Sequence, residues 1–139
     1  MADRKEFSVS LVTPDGAAYE GEAEMIIVPG AAGEIGVLAR HAPLIATLKA
    51  GSTRVHLASQ VLEYATGPGF FQVLQDRAIA LVDDAVKADE IDEQKARTQL
   101  EAAQAELEAI ERGESSADRW QAEQRIRHAE NQLAVAGRA

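Results

Sequence analysis

The strongest constraint on this chain is a change of character near Asp89. All four prolines and eight of the ten glycines lie before that residue, whereas residues 89–139 hold no proline and two glycines and are mostly Ala, Glu, Gln, Leu and Arg. Proline lacks an amide donor, and glycine loses the most backbone freedom on folding, so segments punctuated by them do not sustain long helices. The later stretch is built from strong helix formers. The expected class is therefore α+β, with strands in the first part and helices in the second.

Within the first part the apolar pattern has period two. Phe7, Val9 and Leu11 alternate with Ser8 and Ser10, the mark of a half-buried strand, and Thr13-Pro14-Asp15-Gly16 supplies a tight turn. Ala17 to Glu24 alternates around Glu20, Glu22 and Glu24 and runs into Met25-Ile26-Ile27-Val28. Thr53 to Leu57 sets Val55 and Leu57 against Arg54 and His56, which puts His56 on the solvent face, and Val61 to Ala65 repeats the pattern around Glu63. Gly67-Pro68-Gly69 breaks the chain before two further apolar runs, Phe70 to Leu74 and Ala78 to Val82. Short strands joined by Gly/Pro turns indicate a sandwich or a barrel.

The second part reads as two helices, at about 89–112 and 116–136, after a domain boundary at 86/87. Asp89 is placed to cap the first, with Asp92 completing a variant capping box. Ala96, Leu100, Ala103, Leu107 and Ile110 form one narrow apolar seam, and Ala122, Ile126, Ala129, Leu133 and Ala136 form its counterpart. Gly113 suits a C-terminal cap and Ser115 or Ser116 the next N-cap, so the seams fold into an antiparallel hairpin. Residues 89–114 carry nine acids against three bases, and residues 115–139 three against four. Arg119, Arg125, Arg127 and Arg138 either pair with the hairpin's own acids or form a basic edge for an acidic partner. The large seam and flanking residues are few, and burying each returns roughly 1.5–3 kcal/mol. Ordering costs about 1–2 kcal/mol per residue, so the hairpin is expected to depend on docking.

Several functions are disfavoured by what the chain lacks. It has no cysteine, so neither a disulfide framework nor a thiolate metal site is open to it. A net charge of −9 argues against nucleic acid as a principal partner. The apolar runs are too short to span a bilayer, and the N-terminal Met-Ala-Asp-Arg-Lys-Glu-Phe has no secretory apolar region. His41, His56 and His128 fall on a turn, a strand and a helix, with no converging nucleophile or metal pattern, so no catalytic residue, metal or obligate cofactor is expected.

The stretch Pro29 to Gly51 is more specific. Gly30, Gly33 and Gly36 evoke a phosphate loop, but no Lys-Ser/Thr pair or helix follows them, and turn glycines are the better account. On the same terms His41 is a structural histidine. The order P-G-x-x-G-x-x-G-x-L-x-x-H-x-P, followed by L-x-x-G, resembles the N-terminal domain of the epsilon subunit of F-type ATP synthases. That resemblance implies a flattened ten-stranded antiparallel β-sandwich over residues 1–86 and a regulatory hairpin over 87–139. It implies a non-catalytic central-stalk subunit on the cytoplasmic face of the bacterial inner membrane, held there through the complex and without inserting into the membrane. The sandwich would contact the gamma subunit and the c-subunit ring through Gly33, Glu34 and His41. The extended hairpin would reach the alpha and beta subunits through the basic edge and restrain ATP hydrolysis. Ile91-Asp92-Glu93-Gln94-Lys95-Ala96 resembles a segment that binds ATP in some bacterial members, which would give Ile91, Asp92, Lys95 and Ala96 that role, with Lys95 where the family has arginine. The alternatives are a free-standing ATP sensor whose hairpin closes on nucleotide, and a coiled-coil interaction module on an unrelated β domain.

Overall fold

In a computed structural model, which describes residues 5–137, the chain divides into two compact units between Ala88 and Asp89. The first holds ten strands: β1 (Phe7–Thr13), β2 (Gly16–Ala23), β3 (Met25–Gly30), β4 (Gly33–Leu38), β5 (Leu44–Leu48), β6 (Gly51–His56), β7 (Val61–Thr66), β8 (Gly69–Leu74), β9 (Arg77–Val82) and β10 (Ala85–Lys87). They pair along one path, β10-β7-β6-β3-β5-β8-β9-β1-β2, with β4 added to β3. The link between its halves is narrow, the single pair Gly30 to Leu48 between β3 and β5. The inward residues of both halves fill one core.

That core follows from the alternation. Val9, Leu11, Ile26, Val28, Val37, Val55 and Phe71 have no exposed surface, and Leu48 and Val73 have 2% each. One pairing departs from the antiparallel expectation: β1 and β9 run parallel. Their register sets Val9 beside Ala78 and Leu11 beside Ala80, matching large side chains to small ones in the buried layer. Thr53 and Thr66 are the fully buried polar residues among those described, and their hydroxyls share a 2.8 Å hydrogen bond.

The β8–β9 hairpin turns through Gln75 and Asp76, both with positive φ (50° and 57°). Such a two-residue turn matches the twist of the flanking strands. Asp76 is also used twice more: its carboxylate accepts from the Arg40 amide and its carbonyl from Ser8.

A short 3-10 turn (Ala88–Glu90) spans the boundary, and the second unit continues with α1 (Glu93–Glu111) and α2 (Arg119–Ala136). Asp92, not Asp89, is the N-cap of α1, its Oδ1 accepting from the Lys95 amide at 3.0 Å. Asp89 is held within the 3-10 turn, so the α-helix begins four residues later than expected. Gly113, at φ 75°, ends α1 with two reversed bonds, Gly113 N–H to Ile110 O and Glu114 N–H to Ala109 O, an arrangement that needs a left-handed residue at that position. Asp118 then caps α2 through the Trp120 amide at 2.8 Å. The expected cap Ser115 instead accepts from the Ala117 amide and donates to Glu106.

The seam is mostly alanine. Ala96, Ala103, Ala122 and Ala129 are between 0% and 4% exposed, whereas Leu100, Leu107, Ile110, Ile126 and Leu133 are only half-buried. Small residues at the centre of a helix pair let the helices approach closely, and the larger ones are then displaced to its flanks.

Candidate partner-contact site

The tip of the β3–β4 hairpin is built by sequence that tolerates little else. Gly30 pairs with Gly33 across Ala31 and Ala32. A side chain on Gly30 would place its Cβ 2.6 Å from the Gly33 carbonyl. The glycines singled out in the sequence therefore serve a β-hairpin; no helix follows them, and the phosphate-loop geometry is absent. Backbone bonds fasten the tip to the neighbouring strand, from Ala31 N–H to Thr47 O and from Lys49 N–H to Pro29 O, both 2.9 Å. Glu34 stands exposed as the second residue of β4, its Oε2 accepting from Arg54 Nη2 at 2.8 Å.

His41 is not beside Glu34. Glu34 lies at the start of β4, next to Gly33, and His41 follows its far end, so a rise of about 3.3 Å per residue separates them along the strand. His41 is exposed, and its Nδ1 lies 2.7 Å from the carbonyl oxygen of Ala42. Its loop is tied to the β8–β9 turn by the bond from the Arg40 amide to Asp76. The three sandwich residues thus sit at two ends of one strand.

Between those ends lies a feature that sequence reasoning missed. Ile45 is 78% exposed, Phe70 61%, Leu81 52% and Leu74 46%. Phe70 pairs directly with Leu81, and Ile45 lies one diagonal away on β5, opposite Gln72. These side chains alternate with buried Phe71, Val73, Ala80 and Val82, so they share the outward face of β5, β8 and β9. The signal was present: in Phe70-Phe71 adjacent aromatics on a strand point to opposite faces, and one of them must face out. A contiguous apolar face of this kind marks an interaction surface.

Among the described residues the bases named for the hairpin edge differ in their surroundings. Arg119 bonds Glu111 and Glu123 at 3.0 Å each, bracing the end of α1 against the start of α2. Arg125 and Arg127 are exposed and flank the seam residue Ile126, on opposite sides because residues two apart on a helix do not face together. Arg138 lies outside the described residues. Of the four residues assigned to ATP, Asp92 is spent on its cap, Ala96 is fully buried in the seam, Ile91 is half-buried and Lys95 is exposed. Among the described residues no group of three potential metal ligands converges. No helix there is long and apolar enough to cross a membrane.

Comparison with known proteins agrees with this architecture. Residues 6–88 match the family model described as the ATP synthase, Delta/Epsilon chain, beta-sandwich domain. An ATP synthase epsilon chain of Halalkalibacterium halodurans is 38% identical over 130 residues, 94% of this chain and 96% of that protein. One from Laribacter hongkongensis is 40% identical over 102 residues, 72% of this chain and 73% of the relative. Among solved structures, a chain of the Euglena gracilis mitochondrial ATP synthase (OSCP/F1/c-ring) superposes with a TM-score of 0.77 at 24% identity, covering 96% of this chain and 83% of that one. A chain of the Tetrahymena thermophila mitochondrial ATP synthase central stalk and c-ring gives 0.59 at 14% identity, covering 99% and 98%.

Proposed function

The chain belongs to the ATP synthase delta/epsilon-chain family, and on that footing we propose that it is a non-catalytic rotor subunit in the central stalk of a proton-translocating F-type ATP synthase. In this reading the sandwich transmits c-ring rotation toward the catalytic head, and the hairpin restrains ATP hydrolysis. The complex holds it peripherally at the cytoplasmic face of the bacterial inner membrane.

The observation that carries the reading is the outward apolar face of Ile45, Phe70, Leu74 and Leu81. Leaving four large side chains in water forgoes roughly 25 cal/mol for each Å² that a partner would cover. We assign this face, with His41 at its margin, to the gamma subunit. Glu34, polar and exposed on a rigid tip, suits the polar loops of the c ring. The extended hairpin is assigned to the alpha and beta subunits. Arg125 and Arg127 carry the inhibitory charge, since Arg119 is engaged within the hairpin. The nucleotide-sensing alternative gains no support from Asp92 and Ala96, whose side chains are already committed to the helix start and the seam.

The test is co-purification with a reconstituted gamma subunit and c ring, followed by ATP-driven proton pumping in liposomes. Phe70→Glu combined with Leu81→Glu, both on exposed positions, is expected to abolish gamma capture and pumping while the melting temperature of the free chain stays within a few degrees. Full capture and pumping by this variant would refute the assignment.

A further inference from the structure

Arg54 is poorly explained as a stabilising residue. Its Nη2 reaches Glu34, yet the side chain of Glu34 is 61% exposed and that of Arg54 33%, and ion pairs this open to water contribute little to folding. Its Nε is buried without a hydrogen-bond partner among the described residues. An orphaned buried donor costs more than such a pair returns.

The geometry gives it another task. Arg54 lies opposite Ile27 on β3, and Gly36 lies opposite the same Ile27 from the other side; Glu34 is two residues further along β4, opposite Pro29. The Arg54 side chain therefore crosses β3 diagonally, and Gly36 puts no side chain in the row between. The backbone of the tip is already fixed by the tight approach of Gly30 to Gly33 and by the two bonds to β5. The remaining freedom at this site is that of the Glu34 side chain, whose Oε2 meets Arg54 Nη2 at 2.8 Å.

We propose that Arg54 is a positioning residue for Glu34, holding its carboxylate in one rotamer so that its other oxygen meets a hydrogen-bond donor on a partner loop without paying ordering entropy at the moment of contact. This rests on the reading that the β3–β4 tip faces the c ring.

The test uses the full chain as Arg54→Met, Arg54→Lys, Glu34→Gln and the double variant Glu34→Gln, Arg54→Met. Two readouts are independent. In the free chain, three-bond couplings of the Glu34 side chain by NMR should show one dominant rotamer in the wild type, averaging in Arg54→Met and partial restoration in Arg54→Lys. With the gamma subunit bound, affinity for the detergent-solubilised c ring should fall about five- to tenfold in Arg54→Met and comparably in Glu34→Gln, with no further loss in the double variant and no fall in melting temperature. A Glu34 side chain already averaged in the wild type overturns the proposal whatever the partner does. Equal losses from Arg54→Met in the wild-type and Glu34→Gln backgrounds would also overturn it, by making Arg54 a direct contact. If Glu34→Gln leaves c-ring affinity unchanged while the rotamer is fixed, the placement of the tip against the ring is what fails, and the function given to Arg54 falls with it.

Discussion

The sandwich and the hairpin bury different things. In the first unit the interior is Phe71, Leu11, Ile26, Leu48 and several valines, large side chains with almost no exposure. In the second, the residues that reach the same burial are Ala96, Ala103, Ala122 and Ala129, with Val135 near the end of α2 as the one larger side chain among the described residues. A buried methyl returns about 0.8 kcal/mol, against roughly 1.5–3 for a Leu, Ile or Phe. Ordering a residue costs about the same in either unit. The hairpin is therefore held to a larger extent by local devices: two Asp caps, the Gly113 stop, and the Arg119 brace. A unit assembled from small increments can be released by small changes, which suits a part that must answer to partners.

The comparison breaks most readily in the sandwich. Phe71→Ala should cost about 3–5 kcal/mol by emptying the centre of a well-packed core, measured as a shift of the urea midpoint of the β-sheet signal. A cost below about 1 kcal/mol would mean that this core is no tighter than the alanine seam. In the hairpin the large effect should come from the opposite change. Ala103→Leu adds bulk where the helices meet and should cost about 1–3 kcal/mol, read as loss of helical circular dichroism at lower temperature with the sandwich transition unmoved.

Smaller effects sharpen the contrast. Asp118→Ala removes the acceptor for the Trp120 amide and should cost about 1 kcal/mol. That is a minor loss for the sandwich and a substantial share of the hairpin's stability, so helical hydrogen exchange near residues 119–124 should accelerate while β-strand exchange stays constant. The smallest effect is one of pH. Burial, and then the nearby Glu6 and Glu22, push the Tyr19 hydroxyl above its ordinary value of 10.0, and it donates to the Glu22 carbonyl. The folded chain keeps this proton where the unfolded chain has released it. Stability from this group is thus fully present below about pH 10 and declines as pH rises from there through the folded value. Tyr19→Phe should flatten the sandwich's alkaline slope and leave the helical signal untouched.

Much of this was readable from residues close together in the chain. Period-two alternation around Val9, Val55 and Phe71 marked strands and their buried faces, and the spacing of Ala96, Ala103, Ala122 and Ala129 marked the seam. Local rivals were harder to separate. Asp89 and Asp92 are both good caps, and the choice fell to Asp92 because the chain first makes a 3-10 turn; Asp118 caps α2 while the Ser115 hydroxyl is engaged by Glu106 and the Ala117 amide. The engagement of Arg119 by Glu111 and Glu123 was not visible from a count of charges, which does not place them around the helix axis.

By itself the sequence determined the two-part architecture, the element types and the family, because these depend on local backbone preference, short-range apolar period and a fixed glycine spacing. Tertiary structure alone decided that β1 lies parallel to β9, that Phe70, Leu81 and Ile45 share one outward face, that Arg119 is engaged by Glu111, and that Arg54 reaches Glu34. Each joins residues from different elements, and such a pairing is fixed by register and chain path, which one-dimensional periodicity does not encode.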